Sequence, residues 1–288
     1  MKRLGLHRAA GERPRAKPAQ TPSVWPADPA NGYAYDPGNA AAAPGARSGL
    51  PQKPFSRSAM TAHSLRLDHL VISARTLDEG TQYVADTLGV APAGGGAHPL
   101  MRTHNRLLNL WGGVYLEVIA IDPQAAVATD GAAPRARLFA LDDPATHARL
   151  EKGPYLSHWV ARVDRPKRLS DWQTQYPQRI APIVPMTRGD FSWGLSVPDD
   201  GAFPAWQGAG DGVLPSLIQW DTPRHPSAAL PETDIALKAL KATHPQADAI
   251  AAQLHWLGAA HLIALEPTEG AAALIAEFET PNGLRTLN

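Results

Sequence analysis

From Leu65 onward the chain repeats one order of elements, and that repeat constrains the fold more than any other feature. "LDHLVIS" (67–73) has strand composition, and "TLDEGTQYVADTLG" (76–89) follows it. In that second stretch Thr76 and Glu79 form a capping box, Leu77, Val84 and Leu88 share a helical face, and Gly89 suits the C-cap. A Gly-rich turn, "APAGGGAHP", leads into the strand-like "NRLLNLW" and "GGVYLEVIAI", closed by Asp122-Pro123. The same order recurs with the strand "PYLSHWVARV" (154–163), then a helix opened by Pro166 that carries Leu169, Trp172 and Tyr176 on one side. Strand-like "IAPIVPM", "FSWGLSVP" and "LPSLIQW" complete this second unit. A third start is "DIALKALKATH", followed by the helix "PQADAIAAQLHWLG" with Ile250, Leu254 and Leu257 on one face and Gly258 as cap. "HLIALEP" and "AALIAEFETPNG" end the chain's strand-like pieces. The expected class is α+β: two paired βαβββ modules (65–123 and 153–222) and a shorter third βαββ unit over 233–288. Neighbouring copies of such a supersecondary unit are expected to share a core.

Composition changes near residue 60. Residues 1–59 are rich in Pro, Ala, Gly and Arg and carry almost no apolar periodicity, which predicts disorder, because such a segment buries too little to offset its chain entropy. Its basic residues (Lys2, Arg3, Arg8, Arg13, Arg15, Lys17) evoke a transit peptide, but the prolines spoil an amphipathic helix and no apolar core of a secretory signal is present. The favoured account is that Met60 is the true start, with a disordered tail as the alternative. Lys+Arg and Asp+Glu are equal at 27 each, so the chain lacks the positive balance that nucleic acid or an anionic membrane attracts. With no Cys in the sequence, disulfides and thiolate chemistry are excluded, and a metal would need His, carboxylate or amide ligands. The longest strongly apolar run, "VYLEVIAI", is far short of the roughly 20 residues of a membrane helix. The expected location is cytoplasmic.

Strand parity selects the candidate residues. Side chains alternate between faces, so Leu67, His69 and Val71 are expected on one side and Asp68, Leu70 and Ile72 on the other. Tyr115, Glu117, Ile119 and Ile121 share a face in the same way. An unpaired carboxylate at Glu117 would be costly, so it needs a cation, a strong donor or a proton. In the second module His158 takes the place of His69, and Gln219 stands near the place of Glu117.

"LDHLVISARTLDEGTQYVADTLGV" resembles the opening of vicinal-oxygen-chelate modules of the glyoxalase and bleomycin-resistance type. More narrowly, "HPLMRTHNRLLNL", "VYLEVIAIDP" and "LPSLIQWD" resemble the glyoxalase-like domain proteins. The resemblance covers most of 65–288 and implies that paired modules form a cup. In the superfamily a divalent metal is held by the first and last strands of each module. That implies His69, Glu117, His158 and Gln219 as ligands for Zn, Ni, Mn or Fe, with Gln219 departing from the more usual Glu. No nucleotide cofactor is implied.

The loop "AHPLMRTHNRLL" supplies His98, Arg102 and Asn105 to meet a substrate, with His104 as a general acid or base beside Glu117; a loop whose polar side chains hold their own backbone is the competing account. "MTRGDFSWGLSVPDDG" adds Arg188 and Trp193, an Arg beside aromatics suited to clamp a carboxylate. The function implied is a metal-dependent lyase, isomerase or dioxygenase acting on a small oxygen-rich metabolite. The alternative is a metal-free small-molecule-binding protein whose cup is walled by Trp193, Trp206 and Trp220. The expected partners are a small-molecule substrate and a second copy in a homodimer, with no nucleic acid and no membrane.

Overall fold

The computed structural model describes residues 65–125 and 134–288. The expectations for residues 1–59 and for Met60 lie outside the described residues. Module one runs β1 (Arg66–Ser73), α1 (Leu77–Leu88), β2 (Gly94–His98), β3 (Thr103–Leu110) and β4 (Val114–Ile121). The capping box acts as anticipated at its start, where the Thr76 hydroxyl accepts from the Glu79 N–H at 3.1 Å, and Gly89 closes the helix in the left-handed region. A short helix α2 (Pro144–Leu150), unforeseen from sequence, separates the modules. Module two runs β5 (Tyr155–Arg162), α3 (Leu169–Gln175), β6 (Ile183–Arg188), β7 (Phe191–Ser196) and β8 (Ser216–Trp220).

These eight strands form one sheet in the order β2-β3-β4-β1-β5-β8-β7-β6. Each half has its last strand parallel to its first, β4 to β1 and β8 to β5, and the halves meet where β1 runs antiparallel to β5. The sheet curls until β2 comes close to β6, giving an inner and an outer face. Leu70, Ile72, Leu116, Val118, Trp159 and Ala161 point outward into a core shared with α1, α3 and the C-terminal unit. Val71, Ile119, Val160, Trp193 and Ile218 point inward. This two-faced burial is why β1, β4 and β5 read as near-continuous apolar runs.

"APAGGGAHP", expected as a turn, contains an edge strand. Gly95 (φ +121°) makes it possible: a Cβ there would sit 2.1 Å from the Asn105 carbonyl oxygen across the β2–β3 ladder. Gly95→Ala is expected to destabilise the protein by about 2 kcal/mol and to loosen β2. Equilibrium denaturation with hydrogen exchange on β2 amides checks this, and an unchanged midpoint would contradict it.

The third unit corrects the expectation of a shorter copy. It has β9 (Ala236–His244), α4 (Ala247–Leu257), β10 (Ala264–Pro267), β11 (Ala273–Thr280) and β12 (Gly283–Leu287), so no strand is missing. Its sheet order is β10-β9-β11-β12, with β9 between its second and third strands and parallel to β10. That wiring differs from modules one and two, so the unit shares their element order but not their topology. Leu240, Ile250, Leu254 and Phe278 bury it against the outer core. Among the described residues no helix is long and apolar enough to cross a membrane.

Candidate functional site

The inner face holds a cavity of about 30 Å³ lined by polar residues of module one, by Arg188 and the aromatic and apolar residues of module two, and by Leu138 and Phe139 of the segment between them. Its floor is built around His69. The register of β1 against β5 passes from Leu67↔Ala161 to His69↔Val160, so Asp68 is an extra residue in a β-bulge. The bulge reverses the expected parity at Leu67 and Asp68, while His69 and Val71 face inward and Leu70 and Ile72 outward as expected. Leu67 packs on the outer core, whereas both Asp68 and His69 engage inner-face groups.

The His69 ring is held on three sides. Its Nδ1 lies 2.8 Å from Asp68 Oδ1, its Nε2 lies 3.4 Å from Glu117 Oε2, and Tyr115 stacks on its face at 4.5 Å. Burial alone would lower the pKa of His69, but the hydrogen bonds and charges of Asp68 and Glu117 outweigh it and raise the pKa to about 9. Burial pushes Glu117 up, yet the hydrogen bond and charge of His69, with His98 and Asn105, hold it at about 2. Burial likewise opposes ionisation of Asp68, but His225 and His69 keep it well below the usual carboxylate range. Near neutral pH the floor is therefore carboxylate, imidazolium, carboxylate.

Asn105 connects this floor to the opposite wall. Its Nδ2 donates to Glu117 Oε1 at 2.6 Å, and its Oδ1 accepts from Gly96 N–H at 3.0 Å and from Arg188 Nη1 at 2.8 Å. Arg188 comes from the end of β6 and forms no ion pair with a carboxylate among the described residues. His98 turns Nε2 toward two donors, Asn105 Nδ2 at 3.3 Å and Arg188 Nη1 at 3.4 Å, while Nδ1 meets Thr103 Oγ1 at 3.2 Å. Burial pushes His98 below its ordinary pKa, so it is a neutral imidazole with its Nε2 lone pair facing the cavity. Trp193 and Trp220, 5.2 Å apart between ring centroids, complete the wall. Leu138 and Phe139 cover the remaining side, with Phe139 and Ala140 at φ +58° and +53°.

Seven of the sequence-derived residues thus meet: His69, His98, Asn105, Glu117, Arg188, Trp193 and Trp220. The other five do not join them. Gln219 points to the outer side of β8, because Ile218 and Trp220 take the inner positions. Its amide serves the backbone ahead of α3, accepting from Leu169 N–H at 3.1 Å and donating to the Val163 and Lys167 carbonyls at 3.0 and 2.7 Å. His158 faces inward but is saturated. Its Nδ1 bonds the Gly212 carbonyl at 3.0 Å, and its Nε2 accepts from Ser216 N–H at 3.1 Å with Ser216 Oγ at 3.0 Å. Phe139 and Phe203 pack on its ring, and burial drives its pKa to about 3. His104 lies on the opposite face of β3 from Asn105, with Asp122 Oδ1 at 3.9 Å, outside the cavity. Arg102 donates to the Arg135 carbonyl at 2.6 Å and so holds the covering segment rather than the cavity. Trp206, expected in the cup wall, packs on the outer core beneath the Arg179 guanidinium.

The register explains the failed match at Gln219. The antiparallel pairs His69↔Val160 and Val71↔His158 make His69 the counterpart of His158, and Val71 that of Val160. Val71 pairs with Glu117 and Val160 with Ser216, so the counterpart of Glu117 is Ser216, three residues before Gln219 and therefore on the other face. Module one has a His–carboxylate pair where module two has a neutral His–Ser pair.

These positions do not fit a divalent ion. Two of the four expected ligands are committed elsewhere, and the Arg188 guanidinium stands among the remaining donors, where its charge would repel a second cation. Among the described residues no group of three or more His, Cys, Asp or Glu side chains is placed to hold a metal. Asp68 and His225, which complete the floor, were not foreseen as site residues. The bulge gives no compositional signal, and His225 follows the last strand of its module.

No curated protein matches the sequence. A hypothetical protein from Staphylococcus aureus is similar in structure, at 14% identity over 77% of this chain and 85% of its own, with a TM-score of 0.47. Methylmalonyl-CoA epimerase from Mycobacterium tuberculosis matches at 19% identity over 60% of this chain and 98% of its own, with a TM-score of 0.34. The sequence profile of the glyoxalase-like domain matches residues 67–258, which span both modules and reach the end of α4. The chain belongs to the glyoxalase-like domain family, within the vicinal-oxygen-chelate superfamily.

Proposed function

We propose that this protein is an acid–base enzyme of isomerase or lyase type that binds a small, anionic, oxygen-rich metabolite in the cup. The carrying observation is the buried His69–Glu117 pair facing an Arg188 guanidinium that has no carboxylate partner among the described residues. A substrate carboxylate or developing enolate oxygen would pair with Arg188, a bidentate donor suited to such groups. Glu117 would exchange a proton with the substrate, and His69 would hold that proton between steps. Neutral His98, whose Nε2 faces the Asn105 and Arg188 donors, would help to hold those two groups toward the substrate. Leu138 and Phe139 must withdraw for a substrate to enter, because about 30 Å³ holds little more than one water.

The test is a thermal-shift screen of small hydroxy and oxo carboxylates, followed by NMR of each hit in D₂O. A true ligand at about a hundred times its Kd stabilises the protein by roughly 2.7 kcal/mol. Arg188→Met is expected to abolish the shift, whereas Glu117→Gln retains binding and loses exchange of substrate C–H for C–D. A ligand that stabilises Arg188→Met as well as the parent protein would refute the role of Arg188. Binding without exchange in the parent protein would favour the small-molecule-binding alternative, for which the Trp193 and Trp220 wall is the supporting feature. Repletion with Zn, Ni, Mn or Fe(II) and elemental analysis is expected to leave the protein well below one ion per chain. A stoichiometric ion lost in His69→Ala would restore the metal-dependent version of the reading.

A further inference from the structure

Asp68 is fully buried and satisfied from both modules. Its Oδ1 meets His69 Nδ1 at 2.8 Å. Its Oδ2 accepts from Trp220 Nε1 at 3.0 Å and from His225 Nε2 at 3.0 Å, and Arg162 Nη1 lies 3.8 Å away. His225 is itself oriented. The Ser227 N–H points at its Nδ1 at 3.4 Å and the Ser227 hydroxyl lies 2.8 Å from the same atom, so the ring proton sits on Nε2 and faces Asp68. The carboxylate reaches this cage only because of the bulge, since regular alternation would turn it to the outer core. Removing a carboxylate and an imidazole from water is costly, and such groups are not needed to fill a core. A fixed imidazole beside a second carboxylate is what they produce.

We infer that Asp68 is the positioning residue of the cup: braced by Trp220 and His225, it fixes the Nδ1 proton of His69 so that Nε2 alone exchanges a proton with Glu117. The step balances within the pair. The His69 Nε2–H bond breaks as an Oε2–H bond forms on the Glu117 carboxylate, and that Oε2–H bond then breaks as the proton passes to the substrate, returning Glu117 to a carboxylate. The ring is left neutral with its proton on Nδ1, held by Asp68, and its Nε2 lone pair still faces Glu117. A proton returned by the substrate travels the same path back. The cup can thus lend and recover a proton without drawing it from solvent. Tyr115 stacked on the ring prevents the turn that would exchange the two nitrogens.

This inference rests on the acid–base reading of the cup, but its test needs no substrate. The full chain with ¹⁵N-labelled histidine is followed by NMR as pH rises past 9. In the parent protein both His69 ring nitrogens should carry protons at neutral pH, and the neutral ring should keep its proton on Nδ1. Asp68→Asn is expected to lower the pH at which His69 loses its charge by about one unit or more and to mix the two tautomers. A purely structural Asp68 would change thermal stability in that variant and leave the His69 tautomer as it was, which would overturn the inference. Should Asp68→Asn fail to fold, the parent spectrum alone decides, because a neutral His69 protonated on Nε2 is incompatible with the arrangement. Failure to find any exchanging ligand would count against the proposed function and leave this result standing.

Discussion

Raising the pH from about 6.5 to about 9 is expected to remove roughly 3 kcal/mol of folding stability, and His69→Gln should remove most of that dependence. His69 carries a pKa raised to about 9 against an ordinary 6.5, so its contribution is complete below 6.5 and is lost as pH climbs through 9. Glu117 works in the opposite sense. Its pKa of about 2 against 4.5 gives stability that is present above 4.5 and lost as pH falls toward 2, and Asp68 adds to the same acid limb. These three groups alone would favour about pH 4.5–6.5. His158, buried neutral with a pKa of about 3 against 6.5, loses stability as pH falls below 6.5, so the maximum is expected near pH 6.5. At the entropy change expected for some 200 ordered residues, 3 kcal/mol corresponds to about 6–12 °C in Tm. Calorimetry across pH 4–9 on the parent protein and His69→Gln measures it. A parent Tm that stays level from 6.5 to 9 would show that His69 is not held as an imidazolium.

Gln219→Leu is expected to cost more, about 4 kcal/mol, and to do so without changing ligand binding in the cup. The substitution leaves the Leu169 N–H and the Val163 and Lys167 carbonyls without their partner, and each buried group deprived of its hydrogen bond costs about 1–3 kcal/mol. Gln219→Glu separates the structural role from a ligand role. It supplies an acceptor to Leu169 but sets a carboxylate against two carbonyl oxygens, so it should also destabilise. A metal ligand would gain from the same change, because a carboxylate binds a divalent ion more strongly than an amide does. Denaturant titration of both variants, with elemental analysis of each, distinguishes the two. A Gln219→Glu protein that is more stable and carries stoichiometric metal would contradict the structural assignment.

The contrast between His69 and Gln219 shows where a sequence is transparent. Periodicity placed β1, α1, β4 and β5 well, because each is long, caps itself and buries both faces or one clear stripe. It also singled out His69 and Glu117, since both stand on apolar strands where a polar group needs a partner, and the family resemblance placed them in one cup. Position within a strand is another matter. Gln219 and Ser216 are three residues apart, and only the pairing of β8 with β5 decides which one matches Glu117. Asp68 was assigned to the wrong face because one extra residue in β1 is accommodated by its neighbour β5, a fact absent from the local pattern. His104 and Arg102 were grouped with Asn105 by adjacency, yet β3 turns alternate side chains apart and Arg102 precedes the strand in a left-handed conformation. The family resemblance located the cup but not the loss of its symmetry.

The segment from Leu138 to Leu141 gives the cup a kinetic character. It is tied down by Arg102 on the Arg135 carbonyl, by Arg135 on the Val197 carbonyl at 3.2 Å and by Ala140 N–H on the Gly201 carbonyl at 2.8 Å. Two of its residues, Phe139 and Ala140, hold backbone conformations that side chains other than glycine adopt at a cost. The covered form combines backbone strain with anchoring hydrogen bonds. On the proposed reading, in which this segment withdraws to admit a substrate, the apparent dissociation constant is the intrinsic one divided by the uncovered fraction. Association rates would then report on the anchors, whereas residence times would report on Arg188 and the His69–Glu117 floor.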